Sequence, residues 1–247
     1  MKNKPLVLIL CAGALLLTAR AALYSVEETD KRITEAREAR NRADVEQLRT
    51  IVQAASSEAR HLGTAVSYER LALLENYLCE AGDVHSNKAV VKLAASDGVS
   101  AARKAVELDS GSSQAHSLLG SLLGQLIPYV TMGGMRYGPE ATRELDKGIQ
   151  LDPKNPYAYM DRAIAYFLAP SMFGGSKQSA VQLLHKAASM APGTDCAASS
   201  YIWLAQVDLA LGKKGEARRD IQVALKIEPG RAFAQQVAKQ VERRRAQ

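Results

Sequence analysis

AASSYIWLAQVDLALGKKGEARRDIQVALKIEP, residues 197–229, decides the fold. Leu204 and Ala205 stand together in its first half, Gly212 interrupts it, and Ala217, Ile221 and Ala224 follow at helical spacing before Pro229. Steps of three and four residues keep side chains on one face of a helix. Two antiparallel helices approach closely where small side chains such as Ala205, Ala217 and Ala224 face each other. Bulkier Leu204 and Ile221 fill the space around those contacts. Proline and the residue before it disfavour further helix and turn the chain. The stretch predicts a helix over 197–211, a short link and a second helix over 214–227.

The same punctuation recurs upstream. Residues 157–168 and 176–190 form a pair ending at Pro192, and 113–126 with 139–151 form another ending at Asp152-Pro153. Before them, residues 65–80 carry Tyr68, Leu71 and Ala72 in phase and are expected to close at Gly82 and Asp83. A long helix over 87–108 follows, with a weak point at Gly98. Residues 27–61, rich in Ala, Glu, Arg and Gln, predict two helices broken at 41–44, a degenerate first repeat or cap. Residues 231–244 read as a capping helix. The expected fold is an all-α helical solenoid of about four helix pairs with a C-terminal capping helix. Its organisation is a leader over 1–21, an N-terminal cap over 22–64, repeats over 65–229, and the capping helix with a basic tail over 230–247.

The links within the pairs differ. Residues 212–215 are of ordinary length, whereas the preceding pair carries an insertion with Pro170, Met172, Phe173, Gly174 and Gly175. The pair before that carries Pro128, Tyr129, Met132, Gly133 and Gly134. Both insertions run proline, then Met or Phe, then paired glycines. They are either tolerated loop extensions or apolar-tipped loops on one edge of the solenoid, where per-repeat insertions share a face.

On these residues, the segment 65–229 resembles tetratricopeptide repeat (TPR) proteins, most fully over 113–229. It departs from their pattern at the insertions, at Gly148 where alanine is usual, and at Ser110 where proline is usual. The glycine-paired insertions are similar to those of an exported subgroup, the T components associated with TRAP-type transporters. The TPR resemblance implies a right-handed superhelix whose first helices build a concave face for peptides or proteins, with no cofactor and no catalysis. The subgroup similarity implies an alternative, a small hydrophobic ligand or a transport-accessory role. In the family's phasing the concave face carries Tyr157, Met160, Ile164 and Phe167. Gln114, Ser117 and Ser121 flank them on one side, with Ser199, Ile202, Gln206 and Leu209 on the other. The Lys, Arg and Asn of the family's peptide-carboxylate clamps are missing there. The candidate partner or ligand site is therefore Tyr157, Met160, Ile164 and Phe167 with the loop tips Met132, Met172 and Phe173. Interior packing is the competing reading for the centre.

The first residues read as an address. Lys2 and Lys4 precede an apolar run over 6–17, too short to span a bilayer, and Ala19-Arg20-Ala21 offers a cleavage site. An uncleaved membrane anchor is the alternative, and Arg20 interrupts the apolar run against it. A lipid anchor at Cys11 is disfavoured by Leu10, where a small residue is needed. The protein is expected to be periplasmic or otherwise exported. Cleavage would remove Lys2, Lys4 and Arg20 from 32 basic residues against 26 acidic ones, leaving 29 against 26. That balance is too mild for a nucleic-acid binder. Cys79 and Cys196 fall in different repeats and read as buried thiols rather than a bridge.

Chemistry is not visible in the motifs. There is no H-E-x-x-H, C-x-x-C, G-x-S-x-G or phosphate loop. His61, His85, His116 and His185 lack the spacing of a metal pair, and His116 sits at a packing position. Asp195 beside Cys196 has no histidine in support and reads as a helix-start carboxylate. No cofactor and no metal are expected.

Overall fold

The computed structural model describes residues 31–243. The expected leader and the last four residues of the basic tail lie outside the described residues. Helix α1 covers residues 31–41, followed by α2 (Val45–Leu62), α3 (Ala65–Val84), α4 (Lys88–Leu108) and α5 (Ser113–Leu126). Then come α6 (Gly133–Leu151), α7 (Pro156–Leu168), α8 (Lys177–Met190), α9 (Asp195–Ala210), α10 (Lys214–Ile227) and α11 (Ala232–Arg243). No strand occurs among the described residues.

Local chemistry fixes where the helices start. The side chains of Asp44, Thr64, Asn87, Ser112, Asn155, Ser176 and Thr194 each accept a bond from an amide of the first turn. Each satisfies a donor that the helix itself leaves open. Pro156 at the start of α7 lacks a donor where none is needed.

The pairs α3–α4, α5–α6, α7–α8 and α9–α10 pack side by side, and each leans on the next through α4–α5, α6–α7 and α8–α9. First helices also touch in succession, α3 to α5 to α7 to α9. Fully buried alanines mark the crossings: Ala102, Ala105, Ala158, Ala163, Ala187, Ala205, Ala217 and Ala224. Helix α11 packs on α9 and α10 and also reaches α3.

Two expected boundaries move. Helix α3 runs through Gly82 and Asp83 instead of closing there, because Gly82 is a crossing residue. A Cβ at that position would lie 2.9 Å from Val91 Cγ2 and 3.1 Å from Val90 Cγ1 of α4. Helix α6 starts at Gly133 rather than Pro139, and the proline lies inside it. Pro139 is exposed, as is Met135 one turn earlier, so the carbonyl left without a donor faces water.

Candidate functional site

Helices α5, α7 and α9 are alternate members of an up-and-down array, so their C-terminal ends share one edge. Two of them continue into the glycine-paired insertions. After α5 the chain makes a 3-10 turn over Ile127–Tyr129 and reaches Met132, whose φ of 56° is left-handed. After α7 it makes a 3-10 turn over Ser171–Phe173. Each loop folds onto its own beginning. The Gly133 amide donates to Val130 O at 2.9 Å, the Gly175 amide to Pro170 O at 3.1 Å, and the Ser176 amide to Tyr166 O at 2.8 Å. A Cβ at Gly133 would collide with the Ile127 carbonyl, and one at Gly175 with the Ala169 carbonyl. The glycines serve close backbone approach in both loops.

This folding turns the apolar tips outward. Met172 is 83 % exposed and Phe173 58 %, and Met132, Met135 and Leu168 are exposed as well. Leu211, which ends α9, adds an exposed apolar side chain to the edge.

The rest of the expected site separates along α7. Ile164 and Phe167 are half-buried, and the Phe167 ring meets Trp203 edge-on at 6.3 Å between centroids. Trp203 meets Phe233 of α11 in the same way at 5.7 Å. Met160 is buried among Tyr159, Ala163 and Leu184. Tyr157 lies ten residues before Phe167, about 15 Å along the axis. Its hydroxyl is 3.5 Å from Asp195 Oδ2.

Asp195 belongs to an ionic cluster that ties the two ends of the solenoid together. Arg40 of α1, 2 % exposed, donates through Nη2 to Asp195 Oδ1 at 2.5 Å and to Glu228 Oε1 at 3.2 Å. Arg231, just before α11, donates to Glu80 of α3 at 2.6 and 2.9 Å, to Glu228 at 3.0 Å and to Ser199 Oγ at 2.7 Å. The Arg40 guanidinium also lies 4.8 Å over the Tyr77 ring. Burial alone would raise the Asp195 carboxyl, but Arg40 and Arg231 outweigh it and hold the group down at about 2. Burial likewise opposes the charge on Arg40, and Glu80 and Asp195 overcome it and raise its pKa. Of the positions expected on the concave side of α9, Ser199, Ile202 and Leu209 are thus buried, Ser199 against Arg231.

Sequence reasoning missed Arg40, Glu80, Glu228 and Arg231. One signal was present: Arg40 continues the apolar stripe of Ile33 and Ala36. Asp195 does lie in the first turn of its helix, as expected. His116 is buried, with Nδ1 2.6 Å from Glu144 Oε2 and Nε2 3.1 Å from the Ser110 carbonyl. Cys79 and Cys196 are buried free thiols, and burial pushes Cys196 up to about 12. Among the described residues no cluster of three His, Cys, Asp or Glu could hold a metal ion, and no helix is long and apolar enough to cross a membrane.

No protein-family model matches the sequence, and no curated protein does. Solved structures are similar. TTC0263, a thermophilic TPR protein of Thermus thermophilus, aligns with a TM-score of 0.52 at 16% identity, over 77% of this chain and 98% of that one. YrrB, described as a TPR protein with an unusual peptide-binding site, aligns at 0.45 and 15%, over 85% and 97%. MamA aligns at 0.41 and 18%, over 75% and 91%. At 16% identity the likeness to TTC0263 speaks to the fold alone, and with the helix-pair architecture the chain is an all-α, TPR-like solenoid.

Proposed function

We propose that the protein is a non-enzymatic scaffold that binds a protein partner, and that the partner docks on the loop edge. Met132, Met172 and Phe173 make the contact, with Ile164 and Phe167 behind them. One observation carries this reading: large apolar side chains stand exposed along one edge, on loops braced by backbone hydrogen bonds and glycine contacts. Large apolar side chains held exposed on braced loops mark interaction sites. The ionic cluster and α11 occupy the concave face at α9, which directs a partner to the rim. Tyr157 and Met160 act from within, one on the ionic cluster and one in the core. Read with the leader-like start of the sequence, the partner is an envelope or periplasmic protein rather than a nucleic acid.

Phe173→Ala tests the proposal. Burying such a ring in a partner is worth roughly 1.5–3 kcal/mol from area alone. Capture of envelope proteins by the full chain should weaken about tenfold or more in the variant, with melting temperature nearly unchanged. A stability loss of about 3–5 kcal/mol, with capture falling only in proportion to unfolding, would overturn it.

A further inference from the structure

A second surface is formed by α2, α3 and α4 at the N-terminal end of the described array. Helices α2 and α4 stand on either side of α3 without packing on one another, leaving a trough of about 630 Å³. Its lining runs over 49–60 on α2 and 90–101 on α4, about 16 Å along each helix, or three turns. Val52, Leu71, Leu78 and Val90 give it an apolar bed, and Leu93 stands 61 % exposed on the α4 wall.

Arg49, Gln53, Ser56 and Arg60 make the α2 wall more polar, and two carboxyl groups face the apolar bed. Glu75 of α3 is 5 % exposed and lines the trough, with Asp97 of α4 lining it close by. Among the described residues, Glu75 has no hydrogen-bond or ion-pair partner. Of the two cations that line the α2 wall, Arg49 pairs with Glu46, and Arg60 donates to the uncharged Ser56 Oγ and keeps its charge; neither pairs with Glu75. The Glu75 carboxyl opens onto the trough, so an occupant that displaces water there must bring a donor of its own. Burial raises Glu75 to about 8, and the neighbouring Asp97 adds to the rise.

We propose that this trough takes a helix of a partner protein, its apolar stripe laid along the α3 floor and α4, its polar flank against α2, and one lysine or arginine from that stripe pairing with Glu75 and Asp97. The walls favour a helix over a small molecule. The α4 wall presents Val90, Leu93, Ala94 and Ala101 over three turns, the α2 wall sets Val52 among the polar Arg49, Gln53, Ser56 and Arg60, and only an occupant of that length covers Leu93 together with the floor. A cation buried against a carboxylate makes the strong class of hydrogen bond and sets orientation along the trough.

The probe is a pair of synthetic helical peptides of about 14 residues, the length that fills the trough. Both carry one leucine stripe and differ only in a central lysine or norleucine. Titrated calorimetrically into the full chain, the lysine peptide should bind at least about tenfold tighter than its analogue. Glu75→Gln with Asp97→Asn should bring the two peptides together, and Leu93→Glu should remove both. Phe173→Ala should change neither, which separates this site from the loop edge. If the double variant fails to fold, Asp97→Asn alone carries the comparison. Equal affinities, or no binding of the lysine peptide up to about 1 mM, overturn the proposal. So does n-octylamine binding as tightly as the lysine peptide, which would make the trough a small-amphiphile site. Sedimentation showing a dimer that Leu93→Glu abolishes would assign it to a second copy of the chain and also overturn it.

Discussion

Asp161 sits on α7 between Met160 and Arg162, three residues after Ala158, and is buried with Met160 and Ala158. Burial raises its carboxyl to about 8, and the Ser121 hydroxyl on α5 only partly offsets this. Between its ordinary 3.8 and about 8, the folded state holds a proton that the unfolded chain has released. Stability therefore falls as pH rises through that window. Glu75, raised from 4.5 to about 8, acts with the same sign. Asp161→Asn removes the ionisable group while keeping a partner for Ser121. Its melting temperature should fall less steeply than the wild type's from pH 5 to pH 8, and at pH 8 it should be more stable, by an amount on the order of a few kcal/mol. Identical slopes for the two proteins would refute the assignment. Arg40, Glu75 and Asp161 share one trait, a charge in phase with an apolar stripe. That phase is visible in the sequence, but the partner each charge meets, or lacks, is set by other elements.

At the scale of the element, local signals carried most of the fold. The break at 41–44, the helix over 113–126 and the link at Gly212 were all legible because caps, glycines and apolar period act within a few residues. The misread boundaries involve contacts beyond that range. Gly82 resembles a stop signal in isolation and is a crossing residue against α4. The start of α6 was hidden by Pro139, although its exposed position lets the helix run through. The paired glycines at 133 and 134 provide a test, because their surroundings differ. Gly133→Ala pushes a methyl into the Ile127 carbonyl and should cost about 1–3 kcal/mol. Gly134→Ala meets nothing within 4 Å and adds a better helix former to α6, so it should be neutral or stabilise by up to about 1 kcal/mol. Thermal melts of the two variants should move in opposite directions or leave only Gly133→Ala changed. Equal losses would show that the loop does not fold back as described.

Across the whole molecule, the ends of the chain lock the solenoid. Arg40 meets Asp195 and Glu228 across 155 and 188 residues, a separation at which no local pattern signals a pairing. Arg40→Ala leaves two buried carboxylates short of a cation and should destabilise by about 3–5 kcal/mol. The lock should also weaken in acid. Asp195 is held at about 2 against an ordinary 3.8, so its contribution is complete above about pH 4 and is lost as pH falls through 2. With the concave side of α9 covered in this way, the proposed function places its partner on the loop edge. Photocrosslinking tests that placement most directly, with p-benzoylphenylalanine placed at position 132, at 172 and, on the opposite edge, at the exposed Lys154. One envelope protein crosslinked from both 132 and 172, and absent from 154, is the expected result. Crosslinks from 154 with none from 132 or 172 would contradict it.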